Sequence, residues 1–229
     1  MITLSITTWN RDSLTFDSFR NVLNDDRISE IVIVDDCSDE RIYNNLVFMC
    51  NGLEKVKIYR NEKNLGCYHN KRRAVELASN EWVILFDSDN VIKSDYLDAI
   101  DGVYLVPDGL FQPEFARPHF DFRGFVGAVV SKSNIKQWID IPHFSTMLNA
   151  MNFFINRDEF LKVFDQAKEE PWTADSIYFN YLWLKAGNSI YVTPGMSYEH
   201  RVHEGSHYKA NVHKTGNFYN DVIKMIKEL

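Results

Sequence analysis

Residues 82–90 read WVILFDSDN: five apolar residues run into Asp87, and Asp89 follows after a single serine. Two carboxylates at the mouth of an apolar strand suit a divalent metal, or attack on and acceptance of a phosphoryl group. A second acidic pair, Asp35-Asp36, closes EIVIVDD (30–36) in the same way. Near the C-terminus, YEHRVHEGSHY (198–208) gathers His200, His203 and His207 around Arg201. Groups of these types neutralise phosphate, hold metal or move protons. One acidic pair after a strand could be no more than a helix cap. Two pairs on one sheet edge make a site the better reading.

The elements that must position them follow from periodicity. ITLSIT (2–7) alternates as a strand, and residues 12–23 repeat Leu14, Phe19, Val22 and Leu23 at helical spacing. EIVIVDD (30–36) is a strand apolar enough to be buried on both faces. A weaker helix is expected around 40–50, a strand at KVKIYR (55–60), a helix over 68–79, and the strand 82–86. This β-α-β-α-β-α-β order predicts a mostly parallel sheet with helices on both faces. Such sheets bind ligands at the carboxyl ends of their strands, here Thr7-Thr8-Trp9, Asp35-Asp36 and Asp87-Ser88-Asp89.

After about residue 100 the pattern breaks. In LFQPEFARPHFDFRGF (110–125), Pro113 and Pro118 lie too close together for a central strand. NAMNFFIN (149–156) reads as a strand leading into a helix over 157–170, and residues 174–187 as an amphipathic helix ending at Gly187. The expectation is one domain over 1–229, with a nucleotide-binding half (1–100) and a more irregular acceptor-side half (101–229).

Composition narrows the function. A formal charge of −7 argues against general nucleic-acid binding, which needs a net basic face. No apolar run reaches the ~20 residues of a membrane span, and the N-terminus lacks the basic and apolar regions of a signal peptide. Cys37, Cys50 and Cys67 show no paired spacing, which suits reduced thiols in a cytoplasmic protein.

Three readings compete for the acidic edge. FDSDNV resembles the D-x-D-x-[TV] signature of haloacid-dehalogenase phosphatases, with Asp87 as nucleophile and Asp89 as acid/base, but three strands precede it where that family has none. IVIVDD with Asp87 resembles a phospho-acceptor receiver module, yet no Lys-Pro dipeptide occurs. The third reading accounts for every strand end. TTWNR (7–11), VDDCS (34–38), NLG (64–66) and DSD (87–89) stand in the order and at the separations of the GT-A-fold glycosyltransferases of family 2, which the chain resembles over 2–92 and again around 150–206.

That resemblance implies an inverting enzyme that moves a sugar from a nucleotide-sugar donor, a UDP-sugar by preference, to a hydroxyl of a glycan or other acceptor. It implies a divalent cofactor, Mn²⁺ or Mg²⁺. The ten glycines form no phosphate-cradling loop, so a carboxylate-held metal is the remaining way to neutralise a diphosphate. Asp89 would hold the metal, with His203 or His200 completing its shell, and Asp87 would meet ribose hydroxyls or the metal's waters. Thr7 and Trp9 would lie near the base, Trp9 stacking on it, and Asp36 would accept the uracil N3–H. Tyr68, Lys71, Val75 and Ala78 form one helical stripe, which puts Lys71 toward the cleft, whereas Arg72 can pair outward with Glu76. Arg201, His203 and Ser206 match the family's R-x-H-x-x-S segment over the diphosphate. TADS (173–176) stands where the family has its catalytic carboxylate, so Asp175 is the expected base; a helix cap is the plain alternative.

Overall fold

The structure is a computed structural model. It describes the chain apart from residues 168–170, 172–173 and 203–206, with backbone alone for 207–215. The first half alternates as expected: β1 (Ile2–Thr8), α1 (Asp12–Phe19), β2 (Ile28–Asp35), α2 (Glu40–Met49), β3 (Val56–Arg60), α3 (Cys67–Glu76), β4 (Trp82–Asp87) and α4 (Ser94–Asp101). The second half holds β5 (Gly109–Arg117), β6 (Phe120–Asp121), β7 (Val129–Ser131), α5 (Phe144–Leu148), β8 (Phe154–Asn156), α6 (Arg157–Phe164), α7 (Asp175–Lys185), β9 (Ser189–Glu199) and α8 (His207–Lys227).

One sheet runs β3-β2-β1-β4-β8-β5-β9-β7, with β6 paired to β5. The first four strands are parallel, as expected, and β9 is parallel to β5; β8 joins β4 and β5 antiparallel, and β7 joins β9 antiparallel. Period-two alternation explains the unbroken apolar runs. Ile31, Ile33, Ile84 and Phe86 face the layer of α1, α2 and α4, which supplies Phe19, Leu46, Tyr96 and Leu97. Val32, Val34, Val83 and Leu85 face the opposite layer, where α3, α6 and α7 contribute Val75, Phe160 and Phe179. Each such side chain, fully withdrawn from water, contributes roughly 1.5–3 kcal/mol.

Register brings the acidic strand ends together. Thr8 pairs with Asp35 and Thr7 with Asp87 across parallel ladders, so all three chain segments leave the sheet at one edge.

Three expectations change in the second half. Pro113 does lie within an interior strand, because β8 pairs only with Leu110 and Phe111 and β6 only with Phe115 and Ala116. Between those partners β5 has β9 on one side alone, and the register shifts between Pro113 and Phe115, a break that tolerates a missing N–H. Of residues 149–156 only the last three form a strand, since Phe154 to Asn156 are the ones that meet β4. The helix from Asp175 is buried on nearly every side rather than amphipathic, being packed between the sheet and neighbouring helices; it does end before Gly187, whose φ of 96° suits glycine.

Candidate active site

The site is built from the carboxyl edge outward. Asp35 and Asp36 serve the turns that shape it. Asp35 accepts from the Ser38 amide (3.0 Å) and hydroxyl, and the Ser38 hydroxyl in turn accepts from the Asn10 amide (2.7 Å), which ties the VDDCS turn to the TTWN turn. Asp36 accepts from the amides of Leu65 (2.8 Å) and Gly66 (2.9 Å) and from Asn61 Nδ2 (2.8 Å). Those bonds set the NLG segment at the start of α3, where Gly66 takes a φ of 82° that favours glycine. Burial raises the Asp36 pKa against these donors. Asp36 is therefore first a loop-shaping group, only 3% exposed, with capacity at Oδ2 for one more donor. Trp9, by contrast, is 47% exposed just past β1, so it is no core aromatic.

Across the edge, α3 turns Lys71 inward as its stripe predicts. The ammonium is 2.7 Å from Asp175 Oδ2 and 3.3 Å from Asp87 Oδ1, with Lys71 5% exposed. Burial opposes its charge, but Asp175 and Asp87 outweigh burial and hold it above the ordinary lysine range. Burial pushes the Asp87 carboxyl up to about 6, with Lys71 pulling down and Asp89 and Asp175 pushing up. Asp175 is the first residue of α7, while the cap position is Ala174, whose side chain makes no capping bond. Asp175 thus stands one residue inside the helix rather than at its cap, and its Oδ2 pairs with Lys71. Arg72 meets Glu76 outside at 3.1 Å and also Asp165 at 2.9 Å.

Asp89 stands opposite, paired with Arg11 at 2.9 Å. The Asp87 amide donates to Asn152 Oδ1 at 2.8 Å, and Tyr198 lies close enough to feel Asp87 and Asp89. Arg11, Asn152 and Tyr198 were not singled out from sequence. Arg11 sits inside the TTWNR motif and was within reach; the other two come from the irregular half and gave no local signal.

Arg201 lines the cleft and also braces the DSD turn: its guanidinium donates to the carbonyls of Asp89 (2.7 Å), Leu14 (2.9 Å), Asn90 (3.0 Å) and Ser88 (3.2 Å). Burial lowers its pKa. His200 Nδ1 lies 2.9 Å from His119 Nδ1, and burial, then His119, lower its pKa, so its imidazole is neutral at pH 7. His203 and Ser206 lie outside the described residues. Among the described residues no three His, Cys, Asp or Glu side chains converge as a ready-made metal cage.

Arg11, Lys71, Asp87, Asp89, Asp175 and Tyr198 are among the residues that line a cleft of about 620 Å³. That size suits a small-molecule ligand.

The class follows from comparison of the fold. The S. aureus TarS structure (residues 1–349) superimposes with a TM-score of 0.67 at 17% identity, over 98% of this chain and 64% of that one. TarS in complex with UDP-GlcNAc gives 0.67 at 19%, over 91% and 60%. The mannosyltransferase PcManGT from Pyrobaculum calidifontis, in complex with GDP-Man and Mn²⁺, gives 0.67 at 14%, over 99% and 68%. The chain has the GT-A fold of glycosyltransferases, and it spans under two thirds of the TarS chains it matches. Residues 3–100 match the family model of glycosyl transferase family 2. No curated protein sequence matches the chain significantly.

Proposed function

We propose that the chain transfers a sugar from a nucleotide diphosphate donor, a UDP-sugar in the first place, to a hydroxyl of a glycan or other acceptor, with inversion. The observation that carries this is the Lys71 bridge: one buried cation joins Asp87 of the D-x-D strand end to Asp175 across the cleft. Asp175 takes the proton of the acceptor hydroxyl as that oxygen attacks the anomeric carbon. The carbon–oxygen bond to the diphosphate breaks on the opposite side, and the leaving nucleotide carries off the electron pair. Lys71 holds Asp175 in place and keeps positive charge beside the reacting centre. Trp9 offers an exposed face to the base, Thr7 and the Asp36-held loop frame it, and Arg201 fixes the turn that presents Asp87 and Asp89.

Mn²⁺ or Mg²⁺ fits the donor set. Such ions need only one or two protein carboxylates and complete their shells with phosphate oxygens and water. Asp89 and Asp87 meet that requirement; a cation beside Asp87 would restore the charge that burial opposes. His200, neutral at pH 7, is a further ligand candidate, with His203 the other. The bound ion would act as Lewis acid on the leaving diphosphate.

The competing readings lose their footing in the sheet. A haloacid-dehalogenase phosphatase opens on its D-x-D strand, whereas this pair closes β4. A receiver needs parallel neighbours throughout, whereas β8 runs antiparallel to β4. Among the described residues no helix is long and apolar enough to cross a membrane. We place the domain in the cytoplasm, where its three free cysteines are suited. The test is release of the matching nucleoside diphosphate from a panel of UDP-, dTDP- and GDP-sugars with Mn²⁺, and the anomeric configuration of the product. Retained configuration would remove Asp175 from a single displacement.

A further inference from the structure

Beside the catalytic cleft lies a second cavity of about 680 Å³, walled by His119, Phe120, Arg123, His143 and Thr146. The two adjoin, since Phe120, Phe122 and Thr146 line both. Phe120 sits at the junction on the short strand β6 and is 39% exposed, unusual for a large apolar side chain with a packed partner available. Its ring lies parallel to that of Phe122, with centroids 6.4 Å apart and planes inclined by 8°. On its other flank the ring meets His200 edge-on at 5.0 Å. The shelf is thus held from both sides, with one face left to solvent between the cavities. Charge around it is balanced: Arg123 is committed to Asp121 at 2.6 Å and lies over the Phe115 ring, leaving imidazoles and a hydroxyl as the polar rim. A flat apolar face ringed by hydrogen-bonding groups, with its one arginine committed to a carboxylate, matches a pyranose, which has an apolar face and a rim of hydroxyls.

Resting on the glycosyltransferase reading above, we propose that Phe120 is the platform of a second acceptor subsite and that the acceptor is a neutral oligosaccharide. The sugar bearing the attacking hydroxyl occupies the cleft beside Asp175, and the next sugar crosses Phe120 into the second cavity. Two consecutive cavities have room for more than one ring, so a single sugar would leave the second cavity and its aromatic platform unused.

The test uses the full chain with Mn²⁺ and UDP and reads binding by saturation-transfer NMR. The probes are methyl glycosides of glucose, galactose and N-acetylglucosamine, together with their neutral di-, tri- and tetrasaccharides. At least one oligosaccharide series binds the wild type more tightly than its monosaccharide. Phe120→Ala weakens that binding about tenfold, the worth of one aromatic contact. Phe120→Trp restores it, and UDP affinity stays unchanged in both variants. Binding of oligosaccharides that ignores Phe120→Ala, equal affinity for mono- and oligosaccharides, or no saccharide binding while UDP still binds would each overturn the subsite. Loss of UDP binding in the wild type would instead overturn the underlying glycosyltransferase reading.

Discussion

Replacing Lys71 by methionine keeps the volume of the stem and removes the charge that holds Asp87 and Asp175 together. Both contacts are short and both Lys71 and Asp175 are buried, so the variant leaves two carboxylates without their shared partner. Stripping one member from a buried ion pair costs about 3–5 kcal/mol, and in a chain of this size that lowers Tm by roughly 6–20 °C. The loss depends on pH, and its sign is fixed. Asp87 already has a folded pKa of about 6, above its ordinary value of 3.8, so its charge weakens folding as pH rises from the lower value to the higher. Without Lys71 the folded pKa rises further, and the penalty keeps growing past pH 6. Lys71 itself, raised above the ordinary lysine range, contributes fully throughout pH 5–8, so the pH dependence belongs to Asp87. Thermal melts of wild type and Lys71→Met at pH 5, 6, 7 and 8 therefore diverge, with a small gap at pH 5 and the full loss at pH 8. Arg72→Met, from the exposed side of the same helix, moves Tm little. A Lys71→Met deficit equal at pH 5 and pH 8, or absent at pH 8, would refute the bridging role of Lys71.

Further outcomes are expected from the same geometry. Asp175→Asn keeps metal-dependent UDP binding but lowers transfer by roughly 10²–10⁴-fold in a UDP-release assay, the usual worth of a general base; unchanged transfer would make Asp175 a structural partner of Lys71. Calorimetric affinity for Mn²⁺–UDP weakens as pH falls below about 6, because a protonated Asp87 no longer attracts the cation; constant affinity from pH 5 to pH 8 would contradict this. Arg201→Met leaves the carbonyls of the 88–90 turn without their donor. It should cost about 1–3 kcal/mol and weaken UDP binding along with Tm, whereas lost UDP binding at full stability would mean that Arg201 touches the nucleotide directly.

The first half was legible because its physics is local. EIVIVDD and WVILFD must be buried on both faces, and burial on both faces demands parallel neighbours and helical layers, which places their acidic ends on one edge. Lys71 was legible from a helical stripe. Asp175 could be placed at the start of its helix, but its contact with Lys71 spans 104 positions and no local pattern encodes it. Pro113 misled because a proline argues against an interior strand unless its neighbours end on either side of it, and that depends on where β8 and β6 stop. Arg201 was legible only as a motif residue. The motif names the residue, but only the tertiary position of four carbonyls shows where its hydrogen bonds go. The aromatic stretch FARPHFDFRGF (115–125) could be read as a sugar-stacking wall, but no pattern singles out Phe120 within it, since large aromatics are more often core.

The central claim is that Asp87 and Asp89 form a metal-dependent nucleotide site, and thermal shift with UDP tests it most directly. UDP at about a hundredfold over its Kd, with Mn²⁺ present, stabilises by about 2.7 kcal/mol, which raises Tm by roughly 5–11 °C for a chain of this size. EDTA removes most of that gain, and Asp89→Ala abolishes it while the unliganded Tm holds, since the Arg11 partner it leaves is only partly buried. An equal shift with and without metal, or a full shift in Asp89→Ala, would contradict the account.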